Sequence, residues 1–407
     1  MKYKKKILCI LLLGSLFLNG CGNSQNHLES DPTAPKTGTF VTVDIETHAD
    51  GTGRLAADND QALSDQREMR LRSLGQGKPL PVKDVIDNDG TVFKMQVLPL
   101  PTEQYGFASS AGDVAFLDEE HALLTFGDAN RGYTLVSISL TNNEVTEIAS
   151  VPTGEIFNDI CATPNYIYWQ ESDLWLADQR ESWKVVQYSK ATGERRVVLS
   201  YEDVKTDIVP RTVAYGDDLL FITAEGKTHT MVRYEADTEQ VVPLFRLNHF
   251  QNPYLIPAVR DDCVYIPDYK NGNCLLRYDL QAETLSTLLL PTEYETDTIY
   301  NMSYHGDKIA YVTAFSTVYL YDCATDSVSI LKVPGTLPCY IDGHLLFSSD
   351  NELYYYNEAT DKCELLKKNG WEDYAIRRFT VINDRLAAVV KRSADQDAKL
   401  VFVEVAK

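Results

Sequence analysis

Val318-Tyr-Leu-Tyr-Asp-Cys-Ala-Thr-Asp326 is an apolar, tyrosine-rich stretch that runs into a tight acidic turn, and Val328-Ser-Ile330 follows as a second apolar stretch. Aromatic and β-branched residues on both sides of an Asp/Thr turn predict a β-hairpin. The same element recurs at Tyr188-Ser-Lys-Ala-Thr-Gly193, Tyr234-Glu-Ala-Asp-Thr238, Tyr278-Asp-Leu-Gln-Ala-Glu283 and Tyr356-Asn-Glu-Ala-Thr-Asp361. Ile138 with Thr141-Asn-Asn143 is an earlier degenerate copy, and Val403 aligns as a last one. Successive aligned positions lie 50, 46, 44, 43, 35 and 47 residues apart. That is the period of a four-stranded propeller blade, longer than the helical repeats of about 33–34 residues.

A further strand precedes each copy: Ala122-Leu-Leu-Thr125, Tyr166-Ile-Tyr-Trp169, Leu219-Leu-Phe-Ile222, Val264-Tyr-Ile266, Ile309-Ala-Tyr-Val312, Leu345-Leu-Phe347 and Leu386-Ala-Ala-Val389. Turns such as Gly216-Asp-Asp218 and Gly306-Asp307 join several of these to a strand before them. An outer strand follows the acidic turn, as at Val197-Val-Leu199, Val241-Val-Pro-Leu244 and Leu285-Ser-Thr-Leu288. The last copy stops at Val401-Phe-Val-Glu-Val405 without one, which would leave an open apolar edge. Residues 91–99 read as an orphan outer strand, and we expect them to complete the seventh blade and close the ring. The fold class expected is therefore all-β, a seven-bladed propeller of four-stranded blades over residues 91–407. The recurring tyrosines are expected to pack between blades.

The chain has 407 residues, 44% of them hydrophobic and 24% charged, and length alone would suggest two or three domains. One ring plus a tether accounts for it instead. Lys+Arg number 38 against 59 Asp+Glu, a formal charge of −21, which argues against nucleic acid as a partner. Lys2, Lys4, Lys5 and Lys6 precede a 12-residue apolar run, Ile7 to Leu18, too short to span a bilayer core. The run ends at Leu18-Asn-Gly-Cys21, which resembles the bacterial lipobox, with Asn19 larger than the usual small residue. The resemblance implies acylation of Cys21 and cleavage before it. Residues 1–20 are then a lipoprotein signal peptide, and 21–90 the acylated Cys and a polar tether, flexible over 22–37 and with some local structure beyond, including a short strand at 38–46. Loss of four lysines takes the balance to 34 − 59 = −25. The expected location is the cell membrane, lipid-anchored and facing outside the cytoplasm.

Gly306-Asp-Lys-Ile-Ala-Tyr311 followed by Val318-Tyr-Leu-Tyr-Asp322 resembles the TolB-type propeller repeat. Lipobox, polar spacer and tyrosine-rich repeats together resemble clostridial-type surface lipoproteins with an LDL-receptor-related-like propeller. The resemblance covers residues 91–407. It implies a binding propeller in the cell envelope.

Ligands of propellers meet the face that carries the inter-blade loops and the loops between the two middle strands. Blade 2 has an insertion there, Glu171 to Ser182, with Trp175 at its middle. Inter-blade loops add Tyr201, His249, Tyr254, Tyr294, Trp371 and Tyr374, with Arg377 as a base beside them. Aromatics of this kind anchor protein partners and stack on sugars. These eight residues form the candidate binding face for an envelope protein or a glycan; in blade 2 the alternative is a strand extension that packs its own aromatics. No cofactor or metal is expected. Asp87-Asn-Asp89-Gly90 lacks the ligand positions of a calcium loop, and the seven histidines include no i,i+4 pair. His249 with His305 remains open as a metal pair drawn from two blades. A polysaccharide hydrolase or lyase is the alternative function, and it needs at least two carboxylates or histidines to converge from different blades. A structural partner in an envelope complex is a third reading.

Overall fold

The computed structural model describes residues 92–106, 114–128, 130–173, 182–226, 228–247, 257–260, 262–268, 274–290, 292, 299–313, 317–325, 327–349, 352–366, 375–382, 384–391 and 398–406, together with the short segments 41–42, 45–47, 53–55, 78–80 and 85–88. Seven antiparallel four-stranded units follow one another along the chain. Blade 1 runs through Ala115–Phe116, His121–Asp128, Gly132–Ser139 and Val145–Val151. Blade 2 comprises Glu155–Ala162, Tyr166–Asp173, Lys184–Ser189 and Arg195–Ser200. Blade 3 comprises Thr212–Tyr215, Asp218–Glu225, Thr228–Glu235 and Gln240–Leu247. Blades 4, 5 and 6 begin at Ala258–Arg260, Ile299–His305 and Thr336–Ile341 and end at Thr284–Leu289, Ser327–Pro334 and Lys362–Leu366.

Blade 7 is assembled from both ends of the sequence. Ala375–Ile382, Arg385–Lys391 and Ala398–Val405 supply three strands, and Phe93–Pro99 supplies the outer one. Its register runs from Lys399 opposite Pro99 to Val405 opposite Phe93. The expected closure is therefore present, and its register repeats that of the other blades. In blades 1 to 6 the aligned residues Ile138, Tyr188, Tyr234, Tyr278, Tyr321 and Tyr356 face Val145, Arg195, Val241, Leu285, Val328 and Cys363 of the outer strand. In blade 7 Val403 faces Met95, so the N-terminal strand occupies the same position in the repeat.

Apolar side chains collect between blades, because each sheet buries both faces against its neighbours. One buried cluster joins blades 3 and 4 through Ile222, Met231, Phe245, Val264 and Leu276. Another joins blade 7 to blade 1 through Leu98, Leu400, Phe402, Leu124, Phe126 and Val136, which seals the ring. The recurring tyrosines lie in these interfaces. Tyr234, Tyr278, Tyr321 and Tyr356 are buried in the clusters shared with the preceding blade, and half-buried Tyr188 packs against blade 1.

After five of the aligned positions the residue five further on adopts a left-handed backbone: Asn143, Gly193, Glu239, Glu283 and Asp361 have φ of 61°, 72°, 58°, 53° and 56°. The acidic turn is thus one conformation reused, with Asn, Gly and acidic residues at its left-handed corner.

Segments within 41–88 add further strands to outer edges. Val41–Thr42 pairs with blade 4, Gly53–Leu55 with blade 3, Lys78–Leu80 with blade 5 and Val85–Asn88 with blade 6. Ile45–Thr47 pairs in turn with Gly53–Leu55. Among the described residues no helix is long and apolar enough to cross a membrane.

Candidate functional site

Of the eight residues assigned to the binding face, Tyr201 is the one whose side chain is described. Trp175, His249, Tyr254, Tyr294, Trp371 and Tyr374 lie outside the described residues, as do Cys21 and the rest of 1–40. The backbone of Arg377 belongs to the inner strand of blade 7, at a register shift between Ile376 and Arg378; its side chain is outside the description.

Tyr201 opens the loop 201–211, which leads from the outer strand of blade 2 to the inner strand of blade 3. Side chains and backbone fasten this loop along its whole length. At its start the Ser200 hydroxyl donates to Asp203 Oδ2 at 2.8 Å, and the Asp203 and Val204 N–H groups donate back to the Ser200 carbonyl. Lys205 Nζ sits 4.4 Å from the centroid of the Tyr201 ring and 2.9 Å from Glu202 Oε2. In the middle, the Thr206 hydroxyl accepts from the Ala224 N–H at 2.8 Å, and the Asp207 N–H donates to the Ala224 carbonyl at 2.6 Å. The Gly226 N–H donates to Asp207 Oδ2 at 2.6 Å. Those bonds tie the loop to the hairpin between the middle strands of blade 3.

The far end is held by blade 2. Its inner strand carries a bulge between Asn158 and Cys161, where Asp159 takes a left-handed φ of 47°. A bulge re-aims the side chain at that point. The Asp159 carboxylate, 2% exposed, accepts from Arg211 Nε at 2.5 Å and from the Thr212 N–H at 2.9 Å. Gln170 on the next strand donates from Nε2 to the Pro210 carbonyl at 2.7 Å. Gln170 and Asp159 are buried, so these bonds are shielded from water and hold the loop more firmly than surface pairs would.

The same end of blade 2 carries a second polar group. Lys184 Nζ lies 2.9 Å from Glu171 Oε2 and 4.0 Å from Glu155 Oε2. The Glu171 carboxylate beside it pushes the ammonium above the ordinary lysine range, against the effect of burial. Trp169 Nε1 donates to Glu171 Oε1 at 2.8 Å. Glu171, Ser172 and Asp173 prolong the second strand into the insertion, and the tryptophans on either side, Trp169 and Trp183, are core residues. This part of the insertion follows the strand-extension alternative, while 174–181 lie outside the description.

His305 ends the inner strand of blade 5 at the turn Gly306-Asp307, on the face opposite the 201–211 loop, with its ring 5.8 Å from that of Tyr340. It therefore does not belong to the loop-bearing mouth. Among the described residues no three His, Cys, Asp or Glu side chains gather as a metal site. Sequence reading missed Asp159, Gln170 and Arg211. A buried charge on an inner strand beside a bulge carries no local pattern, and the pairing partner is fifty-two positions away in the chain.

What the arrangement defines as a class is a closed seven-bladed β-propeller with a rigid loop on one face. The sequence matches no family model, and no curated protein is similar enough in sequence to count as a relative. Solved structures share the fold. YCF48 bound to D1 peptide is similar at a TM-score of 0.55 and 11% identity, covering 80% of this chain and 98% of that one. An oligogalacturonate lyase in complex with manganese gives a TM-score of 0.52 and 14% identity, over 81% of this chain and 98% of that one. The propeller domain of the Trilobed protease from Pyrococcus furiosus, described as having an open velcro topology, gives 0.50 and 12% identity, over 77% and 94%. These similarities establish the propeller fold.

Proposed function

We propose that this chain is a lipid-anchored, extracytoplasmic lipoprotein, tethered through Cys21, whose propeller binds a protein partner at its loop-bearing face. The observation that carries the binding role is the loop 201–211. Both neighbouring blades hold it rigid, yet it offers a half-buried Tyr201 with exposed Lys205 and Glu202 to solvent. A loop ordered before binding loses little entropy when a partner arrives, which raises affinity. Tyrosine with a cation over its ring is a common anchor at protein interfaces. YCF48, a protein of the same fold, has a structure with a bound peptide, which is consistent with a protein ligand. The net charge, −25 once residues 1–20 are removed, favours partners with basic patches.

Two experiments test the proposal. A photo-crosslinking residue in place of Glu202, in cells that make the full chain, should give a discrete protein adduct. Tyr201→Ala or Lys205→Glu should abolish it, and so should alanine at both Trp175 and Trp371. Adducts that survive all three changes would remove the loop from the site. In parallel, Cys21→Ala should lose incorporation of a fatty-acid label and release the chain from membranes. Continued membrane retention without the thiol would refute the anchor.

A further inference from the structure

The outer edges of the blades are not equivalent. Blades 3, 4, 5 and 6 each carry an added strand from residues 41–88 of the same chain: parallel on blades 3, 5 and 6, antiparallel on blade 4. The edges of this ring therefore accept an extended segment in either direction. Among the described residues, no strand covers the outer edges of blades 1, 2 and 7. An uncovered edge presents a row of backbone N–H and C=O groups ready to pair with another chain.

The outer edges of blades 1, 2 and 7 differ in chemistry. On blade 1 the strand Val145–Val151 carries Glu147 and follows Glu144. On blade 7 the strand Phe93–Pro99 ends in a proline, and Gln96 Nε2 is spent on the Leu140 carbonyl 2.8 Å away. On blade 2 the strand Arg195–Ser200 starts with two consecutive arginines and then Val197, 55% exposed, the one large apolar side chain left in solvent among the described residues. Arg195 is exposed and lies on the same side of the strand as Val197. Arg196 points to the other side, where it donates to Gln187 Oε1 at 2.8 Å and pairs with Glu239 of blade 3. Two adjacent cations and an exposed apolar residue on an open strand stand out in a chain of net charge −21.

We propose that the outer edge of blade 2 is a second docking surface, which takes an acidic, extended segment of a partner protein as a fifth strand. Main-chain hydrogen bonds to residues 195–199 supply the pairing. A carboxylate of the incoming strand meets the exposed Arg195 guanidinium, and an apolar residue on the same face covers Val197. The chain's own edge-binding sequence shows the chemistry required. Val41–Thr42 pairs with the outer edge of blade 4, and the sequence around it, Thr39-Phe-Val-Thr-Val-Asp-Ile-Glu-Thr47, supplies β-branched residues and two acids, Asp44 and Glu46. The surface adjoins the 201–211 loop at Ser200, but Arg195 and Val197 lie at the other end of the strand, so variants there leave the loop's anchors intact.

A synthetic peptide of residues 39–47 is the probe, and the full chain is the target. Hydrogen exchange read peptide by peptide should show protection at residues 195–199 when the probe is added. A probe with Lys at both acidic positions should give none. Arg195→Glu, an exposed change, should weaken the probe's binding about fivefold to tenfold and flatten its salt dependence. Val197→Asp should do the same without touching an arginine. Protection confined to the edges of blades 3 to 6, equal binding of the lysine probe, or unchanged affinity in Arg195→Glu would each overturn the proposal. So would concentration-dependent protection of 195–199 with no peptide present, which would make a second copy of this chain the occupant.

Discussion

Asp159 and Arg211 give the sharpest test of how the binding loop is held. Asp159 is 2% exposed and Arg211 16%, so the pair sits almost wholly out of water. Removal of one partner from a buried ion pair costs about 3–5 kcal/mol, because a desolvated charge loses its counter-ion. Arg211 keeps some contact with solvent, which lowers the expected loss to about 2–3 kcal/mol for Asp159→Asn. Asparagine also accepts from the Thr212 N–H and tolerates the left-handed φ of 47°, so this change isolates the charge. Asp159→Ala adds a lost acceptor and backbone strain, for a total of roughly 4 kcal/mol. Arg211→Met should cost about as much as Asp159→Asn. The double variant should cost well under the sum, with a coupling of at least about 1.5 kcal/mol in a denaturant-unfolding cycle. A coupling below about 0.5 kcal/mol would refute the reasoning, since it would mean that the two groups are solvated independently. The single variants should also loosen the loop, seen as faster amide exchange at residues 201–211.

Three other outcomes follow from particular residues. Gly193→Ala places a Cβ at a φ of 72° and should destabilise the chain by about 1–2 kcal/mol in chemical denaturation, with no change at the binding face. Burial, and then Arg260, lower the His305 pKa, with Asp384 and Asp342 opposing and Lys308 adding to the fall. A depressed folded-state histidine contributes stability that is full above its unfolded pKa of about 6.5 and is lost as pH falls below it. His305→Gln should therefore flatten the stability profile below that pH, and an unchanged slope would contradict the assignment. Burial also pushes the Cys363 thiol up to about 12 and that of Cys339 higher still. Neither should be alkylated by iodoacetamide at neutral pH in the native state, and mass mapping of the labelled peptides reads this directly.

The fold was legible because each blade repeats a local signal. An aromatic or β-branched strand runs into a turn whose left-handed corner needs Asn, Gly or an acid, and Tyr278-to-Glu283 or Tyr356-to-Asp361 carries all of it within six residues. Ring closure was legible for a related reason: Val401 to Val405 is too apolar to stay an edge, and residues 91–99 offered the missing strand. The strands that residues 41–88 add to blades 3 to 6 were not legible as edge strands. Residues 38–46 read as a short strand, and Val41–Thr42 and Ile45–Thr47 are strands there, but the two to four residues that pair in each segment carry no sign of which blade they join. The loop 201–211 could be found by its Tyr and charges, but not its anchors. Asp159 and Arg211 meet through the packing of two blades, and nothing within a ten-residue window of either announces the other.

The central claim is that the N-terminal strand closes the ring in the register of the other six blades. Lys94 and Glu404 stand opposite one another in that pairing, and both reach solvent. Directly opposed antiparallel residues lie about 4.5–5.5 Å apart at Cα, within disulfide range. The double variant Lys94→Cys/Glu404→Cys should oxidise to an intramolecular disulfide joining those two peptides, and the offset control Gln96→Cys/Glu404→Cys should not. A closed ring in another register would invert the two results. An open ring would leave position 94 free to alkylating reagent, with no intramolecular link in either variant.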